Sequence, residues 1–252
     1  MTYGRRAYSK TTMRKKILMI GNTHNLQGVP TDISAYYSFF TSPVGGNWCR
    51  EEIEILLNPT LRCLLREIVT IKNADYDYVI TIFSGHGAET IDGMVLFING
   101  QGTKIMMSAL RNLSQRQLLI IDCYRSRTLL PVDSAFEQEG ATMLSMSRDP
   151  VRQAYEEQIR DSIPQEIILY ACDEGEKAED SDDGGVYSQF LLHAAQMLPV
   201  DSHSPFVTVS EAHHKAVSMM QRDPFDNQHP QILQPHCLPH RRLPLAVNSM
   251  FC

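Results

Sequence analysis

The sequence predicts an α/β fold: a mostly parallel central sheet with helices on both faces. Two observations carry that expectation. Short apolar, β-branched runs alternate with stretches of helical spacing, the pattern of buried parallel strands joined by crossover helices. Two of those runs end in reactive side chains, "SGHG" and "DCYRS", and sheets of this kind present their chemistry at the carboxyl ends of their strands.

Taken in order, "KILMIGN" (Lys16 to Asn22) is a short apolar run closed by glycine, which suits a buried strand. In "VPTDISAYYSFF", Ile33, Tyr36, Tyr37 and Phe40 follow a Pro-Thr-Asp start at helical spacing. "EIEILL" (Glu52 to Leu57) reads as a second strand, and "PTLRCLLREIVTIK" (Pro59 to Lys72) as a helix entered through proline. "YDYVITIFSGHG" (Tyr76 to Gly87) is a third strand that breaks at Ser84-Gly85. "MVLFING" and "GTKIMM" suggest a small hairpin, followed by a short helix and then "QLLIIDCYRSR" (Gln117 to Arg127) as a fourth strand. "EIILYACD" (Glu166 to Asp173) makes a fifth strand, and helices are expected over Val186 to Leu198 and Val207 to Gln221. The stretch 128–165 shows one helical signal, near Pro150 to Arg160, and is otherwise too long for an ordinary connection. The Pro- and His-rich tail "DPFDNQHPQILQPHCLPHRRLP" reads as surface-wrapping coil.

At 252 residues and 43% hydrophobic, the chain has enough apolar content for one sizeable core. The formal charge of −6 argues against nucleic acid as partner. Residues 1–16 carry six Lys/Arg and no acid, whereas Glu166 to Asp183 carries eight acids against one Lys. That acidic run reads as a solvated loop or as an acidic rim for basic ligands. "MRKKILMIGN" looks like a natural start at Met13, leaving residues 1–12 as a dispensable basic arm; the arm is drawn to residue 15 and a single domain over 16–252. No apolar run reaches ~18 residues and no secretory h-region is present, so no membrane contact is expected. Six widely spaced cysteines without CxxC read as reduced thiols in a cytoplasmic protein.

His86 lies between two glycines directly after a buried strand, and Cys123 ends another such strand 37 residues later. An imidazole that moves a proton and a thiolate that attacks are the minimum for acyl transfer through a thioester. An amide such as that of Gly87 would serve the oxyanion. Read singly, a strand-end cysteine is usually a small core residue and a lone histidine a surface one.

"YDYVITIFSGHG" followed by "IIDCYRS" resembles the caspase-like cysteine proteases, the clan of caspases and metacaspases, including bacterial caspase-family proteins. "LQGVPTD" (Leu26 to Asp32), "ACDEGEKAEDSDDGGVYSQFLL" and "NQHPQIL" extend the resemblance over most of residues 15–235. It implies a three-layer sandwich divided into a large-subunit-like part (16–127), a linker loop (128–165) and a small-subunit-like part (166–252). It further implies endopeptidase activity on protein or peptide substrates with His86 as the catalytic imidazole. Asp32 and Asp122, with the acidic run at Asp180 to Asp183, match the pocket that metacaspases use for a basic P1 side chain. Self-cleavage after Arg125, Arg127, Arg148, Arg152 or Arg160 is an expectation from the family. No cofactor is implied.

The chain departs from the pattern where it matters most. The family places its nucleophile two residues after the motif's acid, and counting from Asp122 that position holds Tyr124, with the thiol one residue early at Cys123. Neighbouring side chains on a strand point to opposite faces, so a strict shift turns Cys123 away from His86, while a turn at the strand end would relax this. A phenol, with pKa ~10, is a poor attacker of amides at neutral pH. Two readings follow: a cysteine endopeptidase working through Cys123, and a disabled relative, with Tyr124 at the nucleophile position, that binds a partner without cutting it. A nucleotide-binding domain lacks G-x-G-x-x-G and P-loop support. A zinc site in His229, His236, Cys237 and His240 has no finger spacing, and His213 and His214 read as solvated.

Overall fold

Seven consecutive buried residues, Lys15–Gly21, form the first strand, β1, of the computed structural model, which describes residues 13–125, 149–197, 204–222 and 228–248. Helix α1 (Val29–Thr41) starts with proline in its first turn, β2 (Ile53–Leu57) follows, and α2 (Leu61–Asn73) is capped by the Thr60 hydroxyl, which accepts from the Cys63 amide at 3.1 Å. The strand β3 (Tyr78–Thr90) does not break at Ser84-Gly85 as its sequence suggested but runs on into the hairpin strands β4 (Gly93–Phe97) and β5 (Lys104–Met106), and β6 is Arg116–Cys123. Next come α3 (Pro150–Asp161), β7 (Gln165–Tyr170), the two-residue strands β8 (Asp180–Ser181) and β9 (Gly184–Gly185), and α4 (Val186–Gln196). The chain closes with β10 (Phe206–Thr208), α5 (Val209–Met220), β11 (Gln231–Leu233) and β12 (Pro244–Val247). Thr208 and Glu211 form a capping box at the start of α5.

The main sheet runs β11-β7-β6-β3-β1-β2, with every neighbouring pair parallel except β11 with β7. Alternation sorts its side chains into two cores. Ile17, Met19, Ile80, Ile82, Leu118 and Ile120 pack beneath α1, α3, α4 and α5. Leu18, Ile20, Val79, Phe83, Leu119 and Ile121 pack under α2 and the β4–β5 hairpin. This is the expected three-layer α/β sandwich with helices on both faces, four on one and one on the other. No described helix is long and apolar enough to cross a membrane.

Three other expectations change. The tail is not all coil, because Gln231–Leu233 adds an antiparallel edge strand to β7, and Pro244–Val247 pairs with β10. His213 is 3% exposed and its Nδ1 meets the Tyr187 hydroxyl at 2.8 Å, so it is a core residue; only His214 is solvated. Residues 13–15 belong to the domain. Lys15 is 2% exposed, pairs with Glu52 at 2.9 Å and Glu156 at 3.7 Å, and lies 4.0 Å from the Trp48 ring centroid. Arg152 joins the same group, reaching Glu52 at 2.5 Å and Glu156 at 3.0 Å, and ties α3 to the start of β1. Residues 1–12 and 126–148, including most of the expected linker, lie outside the described residues.

Removing Glu52 from this group leaves two buried cations short of a partner, whereas Lys15→Met keeps the volume and the Glu52–Arg152 pair. Glu52→Ala is expected to lower stability by about 3 kcal/mol and Lys15→Met by clearly less, read from urea unfolding midpoints. Equal losses would contradict this description.

Candidate active site

The site is set by the register of two strands. β3 and β6 pair in parallel with Ile80 opposite Leu118, Ser84 opposite Asp122 and Gly85 opposite Cys123. Even-numbered side chains of both strands therefore share the face covered by α1 and α4, and odd-numbered ones the opposite face. The alternation carries past the last strand residue. Tyr124 packs against the first core, and Cys123 belongs to the second, with Phe83, Met94, Leu96 and Ile121.

His86 is thereby placed next to Tyr124, their ring centroids 6.0 Å apart and tilted by 59°. His86 Nε2 lies 2.6 Å from the His24 carbonyl oxygen. A carbonyl only accepts, so Nε2 carries a proton. The imidazole is thus oriented by a backbone group, as an acid–base histidine must be.

The thiol is not brought to that imidazole. A Cβ built on Gly87 would overlap Cys123 Sγ and come within 2.8 Å of the Tyr124 carbonyl oxygen. Sγ accordingly lies on the side of β3 opposite to the His86 side chain. This close approach also explains why residue 87 is a glycine. Gly87, the expected oxyanion donor, is paired with Leu96 of β4 in the ladder. Cys123 is 3% exposed, and burial pushes its titration well above that of a free thiol, assisted by Cys172 and Asp122 and opposed by Arg125. Burial and then the charges of Asp180 and Glu179 raise Tyr124, so the half-buried phenol is neutral at physiological pH.

Beside Tyr124 lies a small, solvent-open cleft lined by Leu26, Asp32, Asp122, Cys123, Asp180 and Gly185, among others. The two acids expected there both line it, each with its own hydrogen-bond partners. Asp32 accepts from the Ser84 hydroxyl at 2.7 Å and the Gly185 amide at 2.9 Å. Asp122 accepts from the Ser188 hydroxyl at 2.6 Å, and Ser188 in turn meets the Tyr36 hydroxyl at 3.0 Å. Asp180 accepts from the Gly28 amide at 3.3 Å. A Cβ on Gly184 would sit 2.5 Å from Asp32 Oδ1 and one on Gly185 2.5 Å from Asp122 Oδ2, so the Gly-Gly pair lets the backbone pass over both carboxyls. Burial raises Asp32 to about 6 against these donors, and burial together with the Asp32 charge raises Asp122 to about 7.

Sequence reading did not find Ser84, Ser188 or the Gly-Gly pair as parts of the site. Their one signal is position: Ser84 two residues before His86, and Gly-Gly directly ahead of α4. Arg125 was expected as a cleavage point, but it is 7% exposed, binds Glu89 at 3.0 Å through Nε and stacks 4.3 Å over the Tyr170 ring. Its backbone exchanges hydrogen bonds with Glu176 and Gly175, anchoring the acidic loop. Arg152 and Arg160 lie in α3, and Arg127 and Arg148 fall outside the described residues. No group of three or more His, Cys, Asp or Glu suited to a metal occurs among the described residues.

Two outcomes are expected. In native protein treated with iodoacetamide, peptide mapping should find Cys123 protected while half-exposed Cys237 reacts, with Cys123 labelled only after unfolding; rapid native labelling of Cys123 would contradict its burial. The second concerns pH. The folded state holds the Asp122 proton above the unfolded value of about 4, so this group favours folding most below pH about 4, and that contribution is lost as pH rises through about 7. Asp122→Asn removes the loss. Its melting temperature relative to the parent should rise between pH 5 and pH 8, by the equivalent of about 2 kcal/mol; a gain confined to pH 5 would contradict the assignment.

The family model of the caspase domain matches residues 14–238. Among solved structures, protein GSU0716 from Geobacter sulfurreducens is similar with TM-score 0.56 and 13% identity, covering 93% of this chain and 99% of that one. Caspase-1 from Spodoptera frugiperda is similar with TM-score 0.54 and 13% identity, covering 92% and 94%. At such identity the likeness is one of fold. No curated protein matches. With the family model spanning nearly the whole chain and the sheet, layers and neighbours agreeing, this chain belongs to the caspase domain family of cysteine peptidases.

Proposed function

We propose that this chain is a caspase-fold protein that binds a basic side chain of a peptide or protein partner in its acidic cleft and does not cut it. The observation that carries this reading is the placement of Tyr124 beside His86 with the Cys123 thiol on the opposite face of the sheet. A protonated, buried thiol is not a nucleophile, and a neutral phenol does not replace it. Binding is supported by three carboxyl groups, Asp32, Asp122 and Asp180, converging on one cleft. A cation entering there meets acids already desolvated and oriented by hydroxyl and amide donors, so little reorganisation is needed.

The competing reading, hydrolysis after Arg or Lys by Cys123 with His86 and Gly87, has the oriented imidazole in its favour. It requires the thiol to cross from one face of the sheet to the other. We place the protein in the cytoplasm, which suits the five unpaired cysteines among the described residues. Neither nucleic acid nor membrane is proposed as a partner.

Turnover of fluorogenic peptides ending in Arg, Lys or Asp by the parent chain, Cys123→Ala and Tyr124→Cys tests this. The parent and Cys123→Ala are expected to be silent, and Tyr124→Cys to cleave after Arg or Lys. Cleavage by the parent that disappears in Cys123→Ala would overturn the reading.

A further inference from the structure

We propose that Tyr124 is itself a recognition group: standing where a nucleophile would, its ring holds the guanidinium or ammonium of the bound side chain against Asp122 and Asp180. This rests on the acidic cleft accepting a basic side chain and adds a role for the residue that departs from the family pattern. Four observations carry it.

The position of Tyr124 is fixed from both sides. Asp122 and Cys123 precede it in the β3–β6 ladder, Arg125 follows it buried and paired with Glu89, and its own carbonyl lies against Gly87. A ring on so rigid a stem costs little ordering when a ligand stacks on it.

The ring lines the same cleft as the carboxyl groups, half-exposed, and its hydroxyl makes no hydrogen bond among the described residues. Buried phenols ordinarily find a partner, so this one is left available on the open side.

Among the described residues no Lys or Arg forms an ion pair with Asp32, Asp122 or Asp180, and the nearby ionisable base is His86, beside Asp180. Hydroxyls and backbone amides supply the hydrogen bonds to Asp32, Asp122 and Asp180 described above. The neighbouring guanidinium, Arg125, is occupied by Glu89, Glu174 and the Tyr170 ring.

Finally, the chain itself already stacks cations on aromatic rings, Lys15 at 4.0 Å over Trp48 and Arg125 at 4.3 Å over Tyr170. An aromatic ring flanked by carboxylates is the surface such ions select from water.

The test is fluorescence polarisation with labelled tetrapeptide amides ending in Arg or in citrulline, its uncharged counterpart, against the parent chain, Tyr124→Leu, Tyr124→Phe and Asp180→Asn. Urea midpoints establish that each variant is folded. The parent should bind the Arg peptide at least tenfold tighter than the citrulline peptide. Tyr124→Leu should weaken the Arg peptide about tenfold without altering the citrulline peptide, and Tyr124→Phe should recover most of that loss. Unchanged or tighter Arg binding by Tyr124→Leu, with Asp180→Asn still weakening it, would overturn the role of Tyr124 and leave the acidic cleft standing. No preference for Arg over citrulline, or no effect of Asp180→Asn, would remove the cleft reading and this inference together.

Discussion

The register between β3 and β6 is the constraint on which the arrangement of the candidate site depends. Backbone hydrogen bonds lock Ser84 beside Asp122 and Gly85 beside Cys123. Once that ladder is formed, period-two alternation assigns every side chain at the two strand ends to a face. Neither His86 nor Tyr124 has a choice of layer, and neither has Cys123. The apolar residues that set the register, from Ile80 and Leu118 up to Phe83 and Ile121, are the hydrophobic core itself. Slipping the thiol to the other face would move all of them from one core to the other. A one-residue displacement in sequence is therefore a displacement across the full thickness of a sheet.

The same ladder delivers the acids. Asp122 is held on the face of α1 and α4, where Asp32 and Ser188 meet it, and the Gly184-Gly185 backbone passes close enough to bond one carboxyl and brush the other. Desolvating two neighbouring carboxyls is unfavourable for folding above neutral pH. Hydroxyl and amide donors offset part of that cost.

Much of the fold was legible because its determinants are local. β-branched runs such as "YDYVITIF" and helical spacing in "PTLRCLLREIVTIK" act within a dozen residues. Strands of two to four residues, β8 to β12, leave no such periodic signal, and β11 exists only because β7 offers an edge to pair with. Lys15 was drawn into the basic N-terminal arm. Its burial depends on Glu52, Glu156 and Trp48, which only the folded chain assembles. His213 was misread for the same reason, since its partner Tyr187 lies in another helix. Within the site, His86, Asp32, Asp122 and the displacement of Cys123 could be read from motif spacing and alternation. Ser188 and the Gly-Gly pair, roughly 150 residues from Asp32, required the topology.

The central claim, that position 124 and not Cys123 faces His86, is tested most directly by covalent labelling with an arginyl chloromethyl ketone followed by mass-spectrometric mapping of the attachment site. The account predicts no adduct on Cys123 in the parent chain and an adduct at position 124 in Tyr124→Cys. An adduct on Cys123 of the folded parent chain would contradict it, since the thiol would then react from the face of the sheet opposite to the one assigned to it.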